Sequence, residues 1–198
     1  MIEIRIHGRG GQGAVIASQI LAQAAFREGM HVQAFPAFGS ERRGAPVTAF
    51  FRLDRASIWV RSEVYQPNGL MILDQSLIGL KSANVTAGLQ PGGWILINSP
   101  KDASEFAELQ GFAVTTVDAS AIGRRHKLGS PTAPIVNTAM VGAVAELTGI
   151  ASSENLAEAI RGAVPVKVEE NVAAAQQGAQ AVRKYRVAED RSREHVNA

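Results

Sequence analysis

The stretch that decides the fold is Ile2-Glu-Ile-Arg-Ile-His-Gly-Arg-Gly-Gly-Gln-Gly13, at the start of the chain. Apolar and polar residues alternate from residue 2 to residue 7, which is the period of a half-buried β-strand. Glycine then dominates as far as Gly13, and this composition favours a tight turn. From Gln12 to Glu28 the apolar residues recur every three or four positions, as on one side of an α-helix. The stretch therefore predicts a strand, a glycine turn and a helix.

The remainder of the chain continues the alternation between the two periods. Predicted strands cover residues 2–7, 30–35, 47–53, 58–60, 70–73, 94–97 and 112–117, and predicted helices cover 12–28, 76–83, 135–147, 152–161 and 166–185. This order is typical of an α/β fold. We expect a Rossmann-like, mostly parallel sheet flanked by helices, which begins with 2–7 and 30–35 and has a helical C-terminal third. Residues 1–185 form the single domain, and 186–198 form a polar tail.

Composition excludes several classes of function. The 198 residues include 20 Lys+Arg and 18 Asp+Glu, a net charge of +2, which gives no concentrated basic surface for nucleic acid. The absence of cysteine excludes disulfides, cysteine nucleophiles and cysteine-ligated zinc or iron–sulfur clusters in this chain. No secretory signal and no apolar run of about 18 residues is present, so we expect a cytoplasmic protein without a membrane segment.

The glycine turn is the first candidate binding site. Its members are Gly8, Arg9, Gly10, Gly11, Gln12 and Gly13, which fit the spacing G-x-G-x-x-G. Such a turn lets the backbone approach a phosphate, while the following helix offers unpaired N–H groups and a partial positive charge. Arg9 adds a charged donor. The alternative is a turn that serves only the close packing of strand against helix.

A dinucleotide site requires one more residue, and the sequence lacks it. In dinucleotide-binding folds an acidic residue at the end of the second strand binds the ribose hydroxyls. Residues 32–36 contain no carboxylate, and Glu41 lies beyond Pro36. The glycine turn is therefore suited to phosphate but poorly equipped for NAD.

A second candidate segment lies in the loop after the second predicted strand. Ser40, Glu41, Arg42 and Arg43 precede Gly44. Adjacent guanidinium groups suit bidentate contacts with phosphate or carboxylate. A solvated turn with a local Glu–Arg pair explains the same residues equally well.

Other polar residues stand at strand ends or on apolar helices. Asp74 and Asn98 follow buried strands, where ligands of open α/β sheets bind, although capping of the next turn is the simpler interpretation. Asn137, on an apolar helix, either bonds a neighbouring carbonyl or faces the glycine turn. His7 is interpreted as a core histidine, and Asp118 as a helix cap.

Together these motifs resemble a known family. The segments Gly8–Gly13 and Phe35-Pro-Ala-Phe-Gly-Ser-Glu-Arg-Arg-Gly-Ala-Pro-Val47, with Asn137 and Asn171–Gly178, are similar to the gamma subunit of 2-oxoacid:ferredoxin oxidoreductases over residues 1–184. The resemblance implies a role in oxidative decarboxylation of a 2-oxoacid to acyl-CoA, with electrons passed to ferredoxin or an NAD-linked acceptor. It assigns coenzyme A binding and assembly to this chain, and catalytic residues to none of its positions.

The resemblance also implies partners and site residues. Thiamine diphosphate, Mg and iron–sulfur clusters are expected on alpha, beta and ferredoxin-like subunits. The glycine turn, Ser40, Glu41, Arg42, Arg43 and Asn137 are expected to face coenzyme A or a neighbouring subunit. Two alternatives stay open: a free-standing nicotinamide-dependent dehydrogenase of Rossmann type, and a purely structural subunit.

Overall fold

The computed structural model describes residues 1–37 and 43–196, with side chains described as far as Val182. Within these residues the chain forms a six-stranded sheet with helices packed on it. The strands are β1 (Ile2–Arg9), β2 (His31–Pro36), β3 (Pro46–Asp54), β4 (Gly69–Ile72), β5 (Trp94–Asn98) and β6 (Ala113–Val117). The helices are α1 (Ala14–Arg27), α2 (Ala119–Arg125), α3 (Asn137–Thr148), α4 (Ser153–Ala163) and α5 (Val168–Val196).

The sheet has the order β2-β3-β1-β4-β5-β6. Strands β1, β4, β5 and β6 are parallel, whereas β3 runs antiparallel to both β1 and β2. The predicted α/β class with a mostly parallel sheet is confirmed. The expectation that residues 30–35 continue a parallel sheet from 2–7 is wrong, since β2 pairs only with β3 and is antiparallel to it. The connection from β2 to β3 contains no helix in its described part, and strands joined without a crossover helix pair antiparallel. Strand β3 also lies between β2 and β1.

The alternation in β1 divides the molecule into two layers. Ile4 and Ile6 are fully buried in the larger core, which they share with α1, α3, α4 and α5. Arg5 and His7 project to the opposite face of the sheet, because successive side chains of a strand point to opposite sides.

Helices α3 and α5 approach each other unusually closely. A Cβ atom placed on Gly142 of α3 would lie 1.9 Å from the carbonyl oxygen of Ala175, and one on Gly178 of α5 would lie 2.0 Å from that of Ala139. Only glycine permits this backbone contact on both helices. The crossing brings the N-terminal ends of both helices to the same end of the sheet as the glycine turn.

The opposite face of the sheet is covered by short irregular segments. Leu70, Ile72, Ile95 and Ile97 form a second, smaller core there with residues from the loops that follow β4 and β5. The predicted helix over 76–83 is wrong: the structure has a single 3₁₀ turn, Gln75–Leu77, followed by turns around Gly79. Glycine in this position weakens a helix.

Two further boundaries differ from prediction. Residues 58–60 form no strand, and the carbonyl of Ile58 accepts a bond from the side chain of Gln33. Helix α5 continues to Val196, past its predicted end at 185 and through most of the predicted tail. Its last part contains no glycine or proline, and such a sequence does not stop a helix.

Candidate functional site

A cleft of about 820 Å³ opens at the carboxyl ends of β1, β4 and β5. Strands β3 and β2 lie on one side of β1, whereas β4, β5 and β6 lie on the other side. The direction in which strands are added to the sheet therefore reverses between β1 and β4. Ligands of open α/β sheets bind at such a reversal. The volume lies within the range of about 300–1,000 Å³ that is usual for small-molecule sites.

The glycine turn and the start of α1 form one wall of this cleft. Gly13 adopts a left-handed conformation with φ of 80°, and no side chain caps the helix. The N–H groups of Ala14, Val15 and Ile16 have no partner within the helix, because the first turn of an α-helix leaves its donors unpaired. Gly11, Gln12, Gly13 and Ile16 line the cleft. This wall can therefore offer backbone donors and a partial positive charge to an anion.

The guanidinium of Arg9 is used for hydrogen bonds within the fold. Its Nε donates to Asp74 Oδ2 at 3.0 Å, Nη1 to the carbonyl of Gly44 at 3.1 Å, and Nη2 to Ser76 Oγ at 2.8 Å. Gln12 adds a donor to the same Asp74 oxygen at 3.2 Å, while its Oε1 accepts from the N–H of Arg9 at 2.8 Å. The guanidinium thus ties the turn to the ends of neighbouring strands.

Asp74 is the common acceptor of these bonds. The predicted cap is confirmed, since Oδ1 accepts from the N–H and the hydroxyl of Ser76 at 3.0 and 2.6 Å. Burial favours the neutral acid, but the bonds from Ser76 and Gln12 and the charge of Arg9 outweigh it and hold the pKa of Asp74 below its ordinary value. The ionised carboxylate positions the glycine turn.

Asn137, the first residue of α3, fulfils both alternatives considered for it. Its Nδ2 donates to the carbonyl of Gly13 at 3.4 Å, and it stands where a Cβ atom on Gly13 would lie, 2.4 Å away. The next residue, Thr138, donates through Oγ1 to Asn171 Oδ1 at 3.0 Å. Asn171 in turn donates to the carbonyl of Lys167 at 2.8 Å. This chain of bonds joins the glycine turn to α3, α5 and the loop before α5.

The second wall of the cleft was not predicted from the sequence. It consists of residues 128–136 and 163–167. Ile135 and Val166, both substantially exposed, give it an apolar surface opposite Ile16. Lys167 lies at its edge with a positive φ of 50° and donates to the carbonyl of Lys127. Only tertiary packing brings these segments to the glycine turn. The sequence signals only that loops occur here, through Gly129 and the prolines at 131, 134 and 165.

The second candidate segment contacts the glycine turn at Arg43. Arg43 forms a β-bridge with Gly10, and the N–H of Gly10 donates to the carbonyl of Ala45 at 2.9 Å. The side chain of Arg43 is exposed. Ser40, Glu41 and Arg42 lie outside the described residues. The structure therefore places Arg43 of the second candidate segment beside the glycine turn.

The other polar residues are used by the fold. His7 is 4% exposed, which confirms a core histidine, and burial followed by the charge of Arg5 lowers its pKa to about 3. Asn98 bonds the carbonyl of Leu73 and the backbone of Ser120 at the base of the cleft. Asp118 caps α2 as predicted, accepting from the N–H of Ala121 at 2.8 Å.

The described part of the chain contains neither a candidate metal centre nor a membrane-spanning helix. In residues 1–37 and 43–182 no three or more His, Asp or Glu side chains come together as metal ligands would. No helix among the described residues is both long and apolar enough to cross a bilayer.

The family model of pyruvate ferredoxin/flavodoxin oxidoreductase matches residues 3–181. The chain belongs to this family. The match spans both motifs and every wall of the cleft, and it confirms the resemblance that the glycine turn and the second segment carried.

Individual members of the oxidoreductase family are also similar. The pyruvate/ketoisovalerate oxidoreductases common subunit gamma of Thermococcus kodakarensis is 50% identical over 164 residues, which cover 81% of this chain and 85% of the relative. The pyruvate synthase subunit PorC of Methanocaldococcus jannaschii is 51% identical over 160 residues, covering 81% and 84%. The crystal structure of pyruvate oxidoreductase subunit PORC from Thermotoga maritima superposes with a TM-score of 0.76 at 34% identity, covering 91% of this chain and 96% of that chain.

Proposed function

We propose that this chain is the gamma subunit of a 2-oxoacid oxidoreductase complex and that its cleft binds coenzyme A. The complex would oxidatively decarboxylate a 2-oxoacid to an acyl-CoA and pass the electrons to ferredoxin or a similar acceptor. Thiamine diphosphate, Mg and the iron–sulfur clusters are assigned to partner subunits, which carry out the bond-breaking steps in the cytoplasm. The chain's own contribution is binding, orientation and assembly, in line with the division between cofactor and protein in such enzymes.

The observation that carries the proposal is the position of the uncapped α1 N-terminus in a cleft with apolar walls. Coenzyme A combines a diphosphate with a long, mostly uncharged arm. The diphosphate suits the N–H groups at Ala14–Ile16, and the arm suits the wall formed by Ile16, Ile135 and Val166. Lys167 lines the cleft and Arg43 lies beside Gly10, so both supply cations near the glycine turn.

The sheet order argues against a nicotinamide-dependent dehydrogenase. In a Rossmann fold the second strand lies beside the first and brings its terminal carboxylate to the ribose. Here β3 separates β2 from β1, and β2 ends at Phe35 and Pro36 without an acidic residue. Strand β2 therefore offers neither the position nor the residue type needed for a ribose contact.

Steady-state kinetics of the assembled complex tests the proposal. With the 2-oxoacid and acceptor saturating, Lys167→Gln and Arg43→Ala should each raise the KM for coenzyme A by more than about tenfold, since a bond to a charged group contributes roughly 1.5–3 kcal/mol. Lys81→Gln, which removes another exposed lysine, is the control.

The coenzyme A-binding subunit, the purely structural subunit and the dehydrogenase predict different results. An unchanged KM in both variants, with assembly intact, would favour a purely structural subunit. Titration of the full chain with NAD decides the dehydrogenase alternative, because micromolar affinity for NAD would overturn our assignment.

A further inference from the structure

The connection between β3 and β4 runs from residue 55 to residue 68 without a helix or strand. We call its part from 55 to 66 the aromatic segment. Trp59 is 84% exposed, Tyr65 is 67% exposed and Val60 is 43% exposed. Loops longer than about 12 residues that lack secondary structure are uncommon in compact domains and usually serve a function or are disordered.

The aromatic segment is held firmly in place. Arg52, which is 1% exposed, donates through Nη2 to the carbonyl of Glu63 at 3.0 Å. Gln33 donates to the carbonyl of Ile58 at 3.2 Å. Val64 is buried, and the backbone of Tyr65 passes so close to Gly88 that a Cβ atom there would lie 2.0 Å from its carbonyl oxygen. The segment is therefore ordered before any partner arrives, which reduces the entropy that association costs.

Its exposed side chains are those that dominate protein interfaces. Arg55 and Arg61 flank Trp59 and Val60 and are exposed. Within the described residues neither guanidinium forms an ion pair, and the adjacent Asp54 binds the N-terminal amine of Met1 instead. Tryptophan, tyrosine and arginine are the residue types most enriched among those that carry binding energy.

We infer that the aromatic segment is a docking surface for another protein subunit of the oxidoreductase complex. The partner surface would offer an apolar pocket for Trp59, with carboxylates at its rim facing Arg55 and Arg61. The two unpaired cations select an acidic protein surface over a second copy of this segment, which would set like charges against each other. This inference rests on the proposed function, since it takes the partner from the same complex.

The docking surface is separate from the cleft. The aromatic segment covers the edge of the sheet at β2 and β3, on the face opposite α1, through its bonds to Gln33 and Arg52. The cleft lies at the carboxyl end of β1 and none of its lining residues falls between 55 and 66. Substitutions in the segment should therefore change assembly without changing how the assembled cleft binds coenzyme A.

The test measures the affinity of the tagged full chain for the remaining subunits, co-expressed and then diluted. Trp59→Ser should weaken the complex at least tenfold, and Trp59→Phe should restore part of that loss. Arg55→Glu with Arg61→Glu should also weaken it, and added salt should then strengthen the complex where it weakens the wild type, because the new carboxylates repel the acidic partner surface. Complex that still forms with Trp59→Ser should keep the wild-type KM for coenzyme A.

Phe26→Ser is the matched control, because Phe26 is 67% exposed at the end of α1 in the other layer. Wild-type affinity in the Trp59 and arginine variants would overturn the inference, and so would equal weakening by Phe26→Ser. Self-association of the chain that Trp59→Ser abolishes would instead assign the segment to a second copy. If the wild-type chain joins no other subunit, the proposed function itself fails.

Discussion

The two faces of the sheet are closed by different interactions. On the face that carries Ile4 and Ile6, helices pack against an apolar core, and α3 and α5 touch through glycine. On the other face, near β1 and β3, Arg5, His7 and Arg52 are buried under irregular segments. The first face depends on shape. The part of the second face around Arg5, His7 and Arg52, which we call the charged face, depends on charge and hydrogen bonds. We therefore expect the first face to be destabilised when a side chain is added to a glycine, and the charged face when a charge changes.

The largest effect is expected at the helix crossing. Gly142→Ala places a methyl group within 2 Å of the position of the Ala175 carbonyl oxygen and must separate α3 from α5. Overpacking of this kind costs about 3 kcal/mol, measured by urea unfolding. Gly162→Ala in α4 is the control, since its Cβ would meet only Gln23 at 3.6 Å. It should stabilise by about 0.5 kcal/mol through helix propensity. A similar loss in both variants would contradict the role of close packing.

Arg52 tests the charged face. It donates to Glu3 Oε1 at 2.6 Å and to Gln33 Oε1 at 3.3 Å in addition to the carbonyl of Glu63. Arg52→Met leaves these acceptors unpaired and should cost about 3 kcal/mol of unfolding free energy. Arg161→Met, which removes exposed ion pairs, should leave the urea midpoint unchanged. Equal losses of unfolding free energy in Arg52→Met and Arg161→Met would mean that burial of the guanidinium is unimportant.

His7 should make the charged face sensitive to pH. Its pKa is lowered from 6.5 to about 3, so the unfolded chain binds a proton between these values while the folded chain does not. Unfolding free energy should thus fall as the pH drops below 6.5, by about 2–3 kcal/mol at pH 4.5. His7→Gln should remove this slope, whereas His31→Gln, on an exposed histidine, should retain it. Urea midpoints measured at pH 7.0 and 4.5 distinguish the two variants.

The smallest effect is expected at the glycine turn, which joins β1 to α1. Gly11→Ala and Gly13→Ala both place alanine at positive φ, but only at Gly13 does the new Cβ meet Asn137. We expect Gly13→Ala to cost about 1 kcal/mol more than Gly11→Ala in thermal unfolding. Combining Gly13→Ala with Asn137→Ala should recover that difference. If the two effects simply add, contact with Asn137 is not the cause of the difference between the two glycines.

The strand, the glycine turn and the helix at the start of the chain could be predicted because their signals are local. Periodicity and turn composition act over a few residues and need no partner, and the same holds for the caps at Asp74 and Asp118. The family could be identified for a related reason, since its two motifs are short and contiguous. These features were therefore determined by the sequence alone.

The place of β3, the unpredicted wall of the cleft and the exposure of Trp59 were decided only by tertiary structure. Strand order depends on pairing between segments far apart in the chain, and the wall depends on the close crossing of α3 and α5. The apolar residues around Trp59 predict a strand, yet the segment forms none, and the side chains of Gln33 and Arg52 donate to its backbone. Each of these outcomes is set by contacts between distant residues, which no local period of the sequence encodes.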